Sequence, residues 1–141
     1  MTMRMTGLLL FITLAAACSR VEEQVVSALF QNYLSAQAAL ANDNYPAAQK
    51  ALQALAQEAD EKIQVLAKEV ADCEDIDTAR EKFQKLSEVV ASLPLPEKHV
   101  VAFCPMANDG DGASWVQKDG EIRNPYYGSK MLTCGEITKT N

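Results

Sequence analysis

Two prolines, Pro94 and Pro96, mark a change in the spacing of apolar residues, and this change limits the fold more than any other feature. From residue 20 to 93, apolar side chains recur every three or four positions, the spacing of one face of an α-helix. After the prolines, short β-rich runs alternate with stretches dense in Gly, Asp and Asn, which is typical of small strands and turns. The chain is therefore expected to be α+β and mainly α, with residues 18–96 helical and residues 97–141 a small β and loop subdomain.

Three series of apolar residues at helical spacing predict three helices. The series are Val26, Phe30, Tyr33, Gln37 and Leu40; then Leu52, Leu55, Ala59, Ile63, Leu66 and Val70; then Ala79, Phe83, Leu86 and Val90. The second series runs for about five turns without interruption, so it predicts one long helix. Capping residues at 42–44 ahead of Pro46, and four acidic residues between 72 and 77, predict the helix boundaries. One-sided helices with short links predict an up-down-up three-helix bundle.

The part after the prolines predicts a small sheet. Residues 99–103 and 114–117 are β-rich, residues 118–121 carry a hairpin turn signal, and residues 121–123 could return as a strand. Residues 131–137 could form another short strand. A unit of about 40 residues cannot bury much apolar surface alone, so we expect it to pack against the helical bundle.

The N-terminus has the pattern of a secretory signal of the lipoprotein type. Arg4 precedes an apolar stretch that ends in three alanines and Cys18, so residues 1–17 are expected to be removed and Cys18 to carry lipid. Ala15 stands where the lipoprotein motif prefers leucine, and ordinary cleavage after the alanines is the alternative. Ser19 after the cysteine favours the outer membrane. The sequence thus predicts a protein held to the bacterial cell envelope by a lipid anchor only, facing the periplasm.

Charge and motif content argue against two broad classes of function. The chain has 13 basic and 19 acidic side chains and a net charge of −6. Binding to nucleic acid or to an anionic membrane surface needs clustered Lys and Arg, which this balance disfavours. There is one histidine, with no Ser or Cys partner motif for it and no Gly-rich phosphate loop. The expectation is a protein that is not an enzyme.

Cysteine and methionine occur in mirror order at the two ends of one short segment. Cys104 and Met106 stand at its start, Met131 and Cys134 at its end, and the only tryptophan, Trp115, lies between. In an extended chain, residues two apart share a face, so the first pair of sulfurs can point to one centre. Thiolates and thioethers favour Cu(I) or Ag(I). Trp115 could lie over the cation through its ring face.

A disulfide between Cys104 and Cys134 is the alternative use of the same residues. It would close a loop of about 30 residues and contribute roughly 3.6 kcal/mol on the chain-entropy model. The two uses are compatible, because the pair could be oxidised at rest and reduced when it binds metal. If Cys18 carries lipid, Cys73 is left over, and we interpret it as a buried small residue or a free thiol.

Two other candidate ligands are weaker. His99 is five residues before Cys104 and would face the other side of a strand, so it is a ligand only if the strand bends. The run at 108–112 looks like a calcium loop. However, loop position 12 counted from Asp109 is Gly120, which has no carboxylate, so a plain turn is expected.

The motifs around these residues resemble a known family. Phe-Cys-Pro-Met-Ala at 103–107, Ala-Ser-Trp-Val at 113–116 and Ile-Arg-Asn-Pro-Tyr-Tyr-Gly-Ser-Lys-Met-Leu-Thr-Cys-Gly-Glu-Ile at 122–137 carry the resemblance. The family is an uncharacterised bacterial domain that also occurs attached to periplasmic adaptor subunits of heavy-metal efflux pumps of the resistance-nodulation-division class. The helical part, including Tyr33-Leu34 and 79–83, fits more loosely.

The resemblance implies a role in metal homeostasis or efflux-linked resistance. It matches the four sulfur residues and Trp115 to the family's own, and it implies periplasmic components of a heavy-metal efflux system as partners. The domain stands here without adaptor segments, which favours a separate carrier or buffer. The expected function is an envelope-anchored Cu(I) or Ag(I) binding protein. The alternative is a non-catalytic structural or interaction lipoprotein with a Cys104–Cys134 disulfide.

Overall fold

In the computed structural model, which describes residues 27–140, helices come first and a small sheet follows. The described elements are α1 over residues 27–41, α2 Tyr45–Glu58, α3 Glu61–Ala71, α4 Ile76–Ser92, β1 His99–Cys104, β2 Ala113–Lys118 and β3 Glu136–Thr140. The α+β, mainly helical class predicted from the sequence is confirmed. The predicted signal at residues 1–17 and Cys18 lie outside the described residues. Within the described range, no helix is long and apolar enough to cross a membrane.

The prediction of three helices is wrong, because the long second series forms two. Ala59 is extended, with φ −91° and ψ 163°, and ends α2. The Asp60 side chain then accepts a hydrogen bond from the Ile63 amide at 3.0 Å and caps α3. Both helices bury the same apolar series, since Leu55 and Ile63 are fully buried. Hydrophobic spacing reports which side faces the core, so it does not reveal a break that leaves that side unchanged.

The other helix boundaries are held by side chains at the predicted places. The Asn44 side chain accepts from the Ala47 amide at the start of α2, which carries a proline in its first turn. The Asp75 side chain accepts from the Thr78 amide at the start of α4. These acceptors satisfy backbone N–H groups that have no partner inside the helix.

The three strands form one antiparallel sheet in the order β2-β1-β3. Ala102 lies opposite Trp115, and Cys104 opposite Ala113. β1 is therefore the central strand, and its pairing with β3 is irregular between Val101 and Ala102.

Two predictions about the sheet are corrected. Residues 121–123 do not return as a strand, because the Gln117 side chain takes their backbone groups, donating to the Glu121 carbonyl and accepting from the Arg123 amide. The last strand, predicted over 131–137, is formed by Glu136–Thr140 instead, and the residues before it turn.

The sheet and the helices share one apolar core. α4 contacts β2, and Val101 and Val116 belong to the same buried cluster as the helices. Tyr33, fully buried in α1, stacks on Phe83 with ring centroids 5.3 Å apart. Its hydroxyl accepts from the Val116 amide at 3.2 Å and lies 2.8 Å from the Ser87 hydroxyl. This contact fixes strand β2 against α1 and α4.

Candidate functional site

The two cysteines at the ends of the sulfur-rich segment meet in the structure. Cys104 ends β1 and is fully buried, whereas Cys134 lies half-buried in the irregular segment just before β3. Their Sγ atoms are 2.9 Å apart, and both thiols are free. A disulfide bond is about 2.05 Å long. The pair is thus in contact without being joined.

Trp115 packs beneath the cysteine pair. It is fully buried in an apolar cluster with Ala102, Cys104 and Ala113, against which Cys134 packs. Its ring N–H donates to the Gln117 side chain at 3.0 Å. Trp115 and Cys104 lie on the same face of the sheet, because Trp115 pairs with Ala102, which is two positions from Cys104 on β1. Trp115 therefore supplies an apolar floor to the site.

The two methionines are placed differently from each other. Met131 is half-buried at the end of a 3₁₀ turn, and its carbonyl accepts from the Cys134 amide at 3.1 Å, so the chain does turn between them. Met106 follows Pro105 and is 53% exposed. Of the described residues, neither methionine belongs to the apolar cluster around the cysteine pair. Met131 is thus the less exposed of the two thioethers.

His99 lies away from the sulfur atoms. It begins β1 and Cys104 ends it, which separates them by roughly 17 Å along the strand. Its Nδ1–H donates to the Glu97 carbonyl at 2.8 Å, and its Nε2 is buried without a partner. The bend that would have brought His99 to the site is not formed.

The surroundings of the pair favour the protonated thiol. The hydrogen bond with Cys104, followed by burial, raises the pKa of Cys134 to about 11. The phenol of Tyr127 is close enough for both thiols to raise its pKa, after the larger effect of burial. The Tyr127 hydroxyl donates to the Met106 carbonyl at 2.5 Å. The arrangement therefore keeps the Cys134 thiol protonated at neutral pH unless a cation or a bond replaces the S–H···S contact.

Asn124 positions Cys134, a role that sequence reasoning missed. Asn124 is fully buried, and its side-chain N–H donates to the Cys134 carbonyl at 2.8 Å. Its side-chain oxygen accepts from the amides of Tyr126 and Tyr127. Its own amide donates to the Leu132 carbonyl at 2.7 Å. One side chain thus ties the tyrosines to the segment that presents Cys134.

Arg80 joins the segment of residues 125–129 to the helices, and sequence reasoning missed this role as well. It is 5% exposed, and its Nε donates to the Pro125 carbonyl at 2.9 Å. A terminal nitrogen donates to the Leu40 carbonyl and to the Asp43 carboxylate at 2.6 Å. Asp43 also accepts from the Ser129 amide, and the Ser129 and Arg80 hydrogen bonds hold its pKa at about 2. We call Arg80, Asp43 and the backbone of residues 125–129 the arginine clasp.

Tyr126 fills the space between the clasp and the cysteine pair. Its hydroxyl donates to the Ser114 carbonyl at 2.5 Å. Its ring lies 6.3 Å from Phe83 and 5.9 Å, edge-on, from Trp115. The residues around the Asn-Pro-Tyr-Tyr-Gly run therefore build the frame that holds the two thiols.

The donor atoms can be compared with the needs of a metal ion. The described residues contain no group of three or more His, Cys, Asp or Glu side chains placed to hold one. Two thiolates do suit a soft monovalent ion. Two sulfurs on opposite sides of one ion, at about 2.3 Å each, lie about 4.6 Å apart, so the pair must open from 2.9 Å to bind an ion between them. The residues fit Cu(I) or Ag(I) held by Cys104 and Cys134, with Met131 the less exposed of the two neighbouring thioethers.

Comparison of the chain with protein families, curated proteins and solved structures finds no match.

Proposed function

We propose that this chain is a non-catalytic, envelope-anchored protein that binds Cu(I) or Ag(I) through Cys104 and Cys134. The observation that carries the proposal is the 2.9 Å contact between two thiols that are 30 positions apart in sequence. Thiolates are the donors that this class of ion prefers, and no hard carboxylate site competes for it among the described residues.

The buried frame supports this role by keeping the pair preorganised. Asn124 fixes the backbone of Cys134, and Trp115 covers the inner side of the thiols. A bound ion would replace the S–H···S hydrogen bond and the protons of both thiols. Because metal competes with protons for thiolate, apparent affinity should rise with pH. The pKa of Cys134, about 11, extends that rise well above neutral pH.

The resemblance to the domain found on efflux adaptors supports the partner assignment. On this proposal the protein buffers a soft ion in the periplasm and exchanges it with components of a heavy-metal efflux system. Cys134 is half-buried and can be reached from outside, which suits exchange of the ion. A lipid on Cys18 would keep the protein at the membrane surface.

Cu(I) titration under reducing, oxygen-free conditions tests the proposal. A competing chromophoric chelator reports affinity and stoichiometry. One ion should bind to the wild-type protein and to Cys73→Ser, since Cys73 contacts the Glu69 carbonyl and lies outside the pair. Binding should be lost in Cys104→Ser and Cys134→Ser. Unchanged affinity in the double Cys104→Ser, Cys134→Ser variant would reject the site.

The methionines are tested by volume-conserving changes. Met131→Leu should weaken Cu(I) binding more than Met106→Leu, because Met106 is 53% exposed after the turn at Pro105. Such swaps usually cost less than about 1.5 kcal/mol of stability, so folding should be retained. Equal affinity in the wild type and in the double Met→Leu variant would exclude both thioethers as ligands.

A second function, a non-catalytic structural or interaction lipoprotein with a Cys104–Cys134 disulfide, is favoured by the raised pKa of Cys134. Metal-binding and reactive thiols usually have lowered pKa values, and this one is raised. On this proposal, protein prepared without reductant contains no metal and one free thiol besides any cysteine modified at the N-terminus. Cys104→Ser and Cys134→Ser would each lower stability by roughly 2–5 kcal/mol, and the Met→Leu changes would be silent.

A further inference from the structure

We propose that the Cys104–Cys134 pair, once oxidised, exchanges with external thiols at Cys134, and that Cys104 is the leaving sulfur. The reacting partner is a thiol in solution, either a small thiol or the cysteine of a dithiol reductase. The proposal extends the proposed function by naming what returns the pair to the metal-binding dithiol. It rests on the geometry of the pair and not on the identity of the metal.

The two sulfurs differ in access. Cys104 is 0% exposed, ends the central strand and is enclosed by Ala102, Ala113 and Trp115. Cys134 packs on the outside of that cluster, in an irregular segment, and is only half-buried. Thiol–disulfide exchange depends on which sulfur can be reached. A thiol approaching from solvent therefore meets Cys134, with Cys104 behind it.

The steps balance as ordinary thiol–disulfide exchange. An external disulfide oxidises the pair, takes two electrons and two protons, and becomes two thiols. In the reverse direction an external thiolate attacks Cys134 Sγ and forms a mixed disulfide, while the bond to Cys104 breaks and its electron pair leaves on Cys104 Sγ, which takes a proton from water. A second external thiolate attacks the outer sulfur of the mixed disulfide. It releases an external disulfide and leaves Cys134 as a thiolate, which is then protonated.

The test uses reduced glutathione on the oxidised protein. The full chain carrying Cys73→Ser is oxidised, mixed briefly with reduced glutathione and quenched with acid, and the glutathione adduct is located by peptide mass mapping. The adduct should lie on Cys134. An adduct chiefly on Cys104, or divided equally, would overturn the proposal.

A second measurement keeps the test independent of the quench. In a background in which Cys18 and Cys73 are both changed to Ser, Cys104→Ser leaves Cys134 alone and Cys134→Ser leaves Cys104 alone. With oxidised glutathione, the first variant should form a mixed disulfide at least about tenfold faster than the second, because exchange depends on access to the thiol. Equal rates in two folded variants would contradict it, and equal rates only after unfolding in urea would support it.

The failure of this proposal is separable from the failure of metal binding. If the wild-type pair never forms a disulfide in a glutathione redox buffer, the exchange proposal is wrong. Cu(I) stoichiometry measured under reducing conditions is unaffected by that result. Conversely, if the wild-type protein binds no Cu(I) but the glutathione adduct still forms on Cys134, the metal function is rejected and the exchange proposal is retained.

Discussion

Asn124 makes five hydrogen bonds in one buried residue, and so it fixes the position of Cys134. Its amide side chain both donates, to the Cys134 carbonyl, and accepts, from the Tyr126 and Tyr127 amides. No other residue type of that size offers a donor and an acceptor in one plane. The position is therefore sensitive to a change that preserves shape and alters only hydrogen-bonding character.

We predict that Asn124→Asp lowers stability by roughly 2–4 kcal/mol, because a buried carboxylate cannot donate to the Cys134 carbonyl and loses its hydration. Urea unfolding at pH 7 measures the effect. Asn108→Asp is the matched control, since Asn108 is exposed. A loss within about 0.5 kcal/mol of that control, the usual size of a surface substitution, would contradict the assigned role.

Gly128 provides a second residue-scale prediction. It has φ +56°, and a Cβ there would fall on the Asp43 carboxylate and the Arg80 guanidinium. Gly110 has φ +96° but open space around it. Both Gly→Ala changes incur left-handed strain, and Gly128→Ala should add about 1–3 kcal/mol of overpacking. Thermal unfolding measures the difference between the two variants. Equal melting temperatures would show that the Asp43 and Arg80 side chains can move away from the added Cβ at little cost in stability.

The contact between the two cysteines was accessible from the sequence, whereas the frame around them was not. The mirror order of Cys and Met residues pointed to Cys104 and Cys134, because sulfur-containing side chains are few in the sequence and chemically distinctive. Asn124 reads as part of an Asn-Pro turn, and Arg80 reads as a surface residue on a polar helix face. Their burial depends on long-range packing of α4 against the motif, and no local pattern records it.

At the scale of elements, the helix break between α2 and α3 is decided by one capping side chain. The residues on either side continue a single apolar stripe, and the extended Ala59 with the Asp60 cap divides it. The sheet shows the same limit of pattern reading. Residues 118–121 carry a hairpin turn signal, but the backbone that follows bonds to the Gln117 side chain and does not form a strand. The third strand of the sheet is β3, which lies farther along the chain.

We predict that Asp60→Ala destabilises the protein by about 0.5–2 kcal/mol through loss of the N-cap of α3. Chemical denaturation gives the total change, and hydrogen exchange should show faster exchange at the first turn of α3, including the Ile63 amide. Asp119→Ala, in an exposed turn, is the control. Unchanged exchange at Ile63 would mean that tertiary packing alone defines the break.

At the scale of the whole molecule, the arginine clasp connects the helices to the sheet end of the protein. Arg80 reaches α1 through the Leu40 carbonyl, the α1–α2 turn through Asp43, and the motif through the Pro125 carbonyl. A buried guanidinium with partners on three segments resists separation of any one of them. We therefore expect the helices and the sheet to unfold together in one transition.

The acid response of the clasp can be predicted with its sign. The folded-state pKa of Asp43 is about 2, below the ordinary value of 3.8. Its contribution to stability is therefore present above pH 3.8 and is lost as pH falls through 2. Asp43→Asn should destabilise the protein at pH 6, and the difference from wild type should shrink toward pH 2. Denaturant unfolding across this range measures it; a constant difference would show that charge plays no part.

The central strand of the sheet, β1, is made before either of its neighbours, and β3 is the last of the three strands in the chain. When the chain emerges from its N-terminus, the helices can assemble from contacts close in sequence, which form quickly. One edge of β1 then stays unpaired until Glu136–Thr140 has been made. For that interval Cys104 has no Cys134 beside it, while Cys73 has already been made. The newborn chain is thus most exposed to edge-to-edge aggregation and to wrong crosslinking in the interval before β3 has been made.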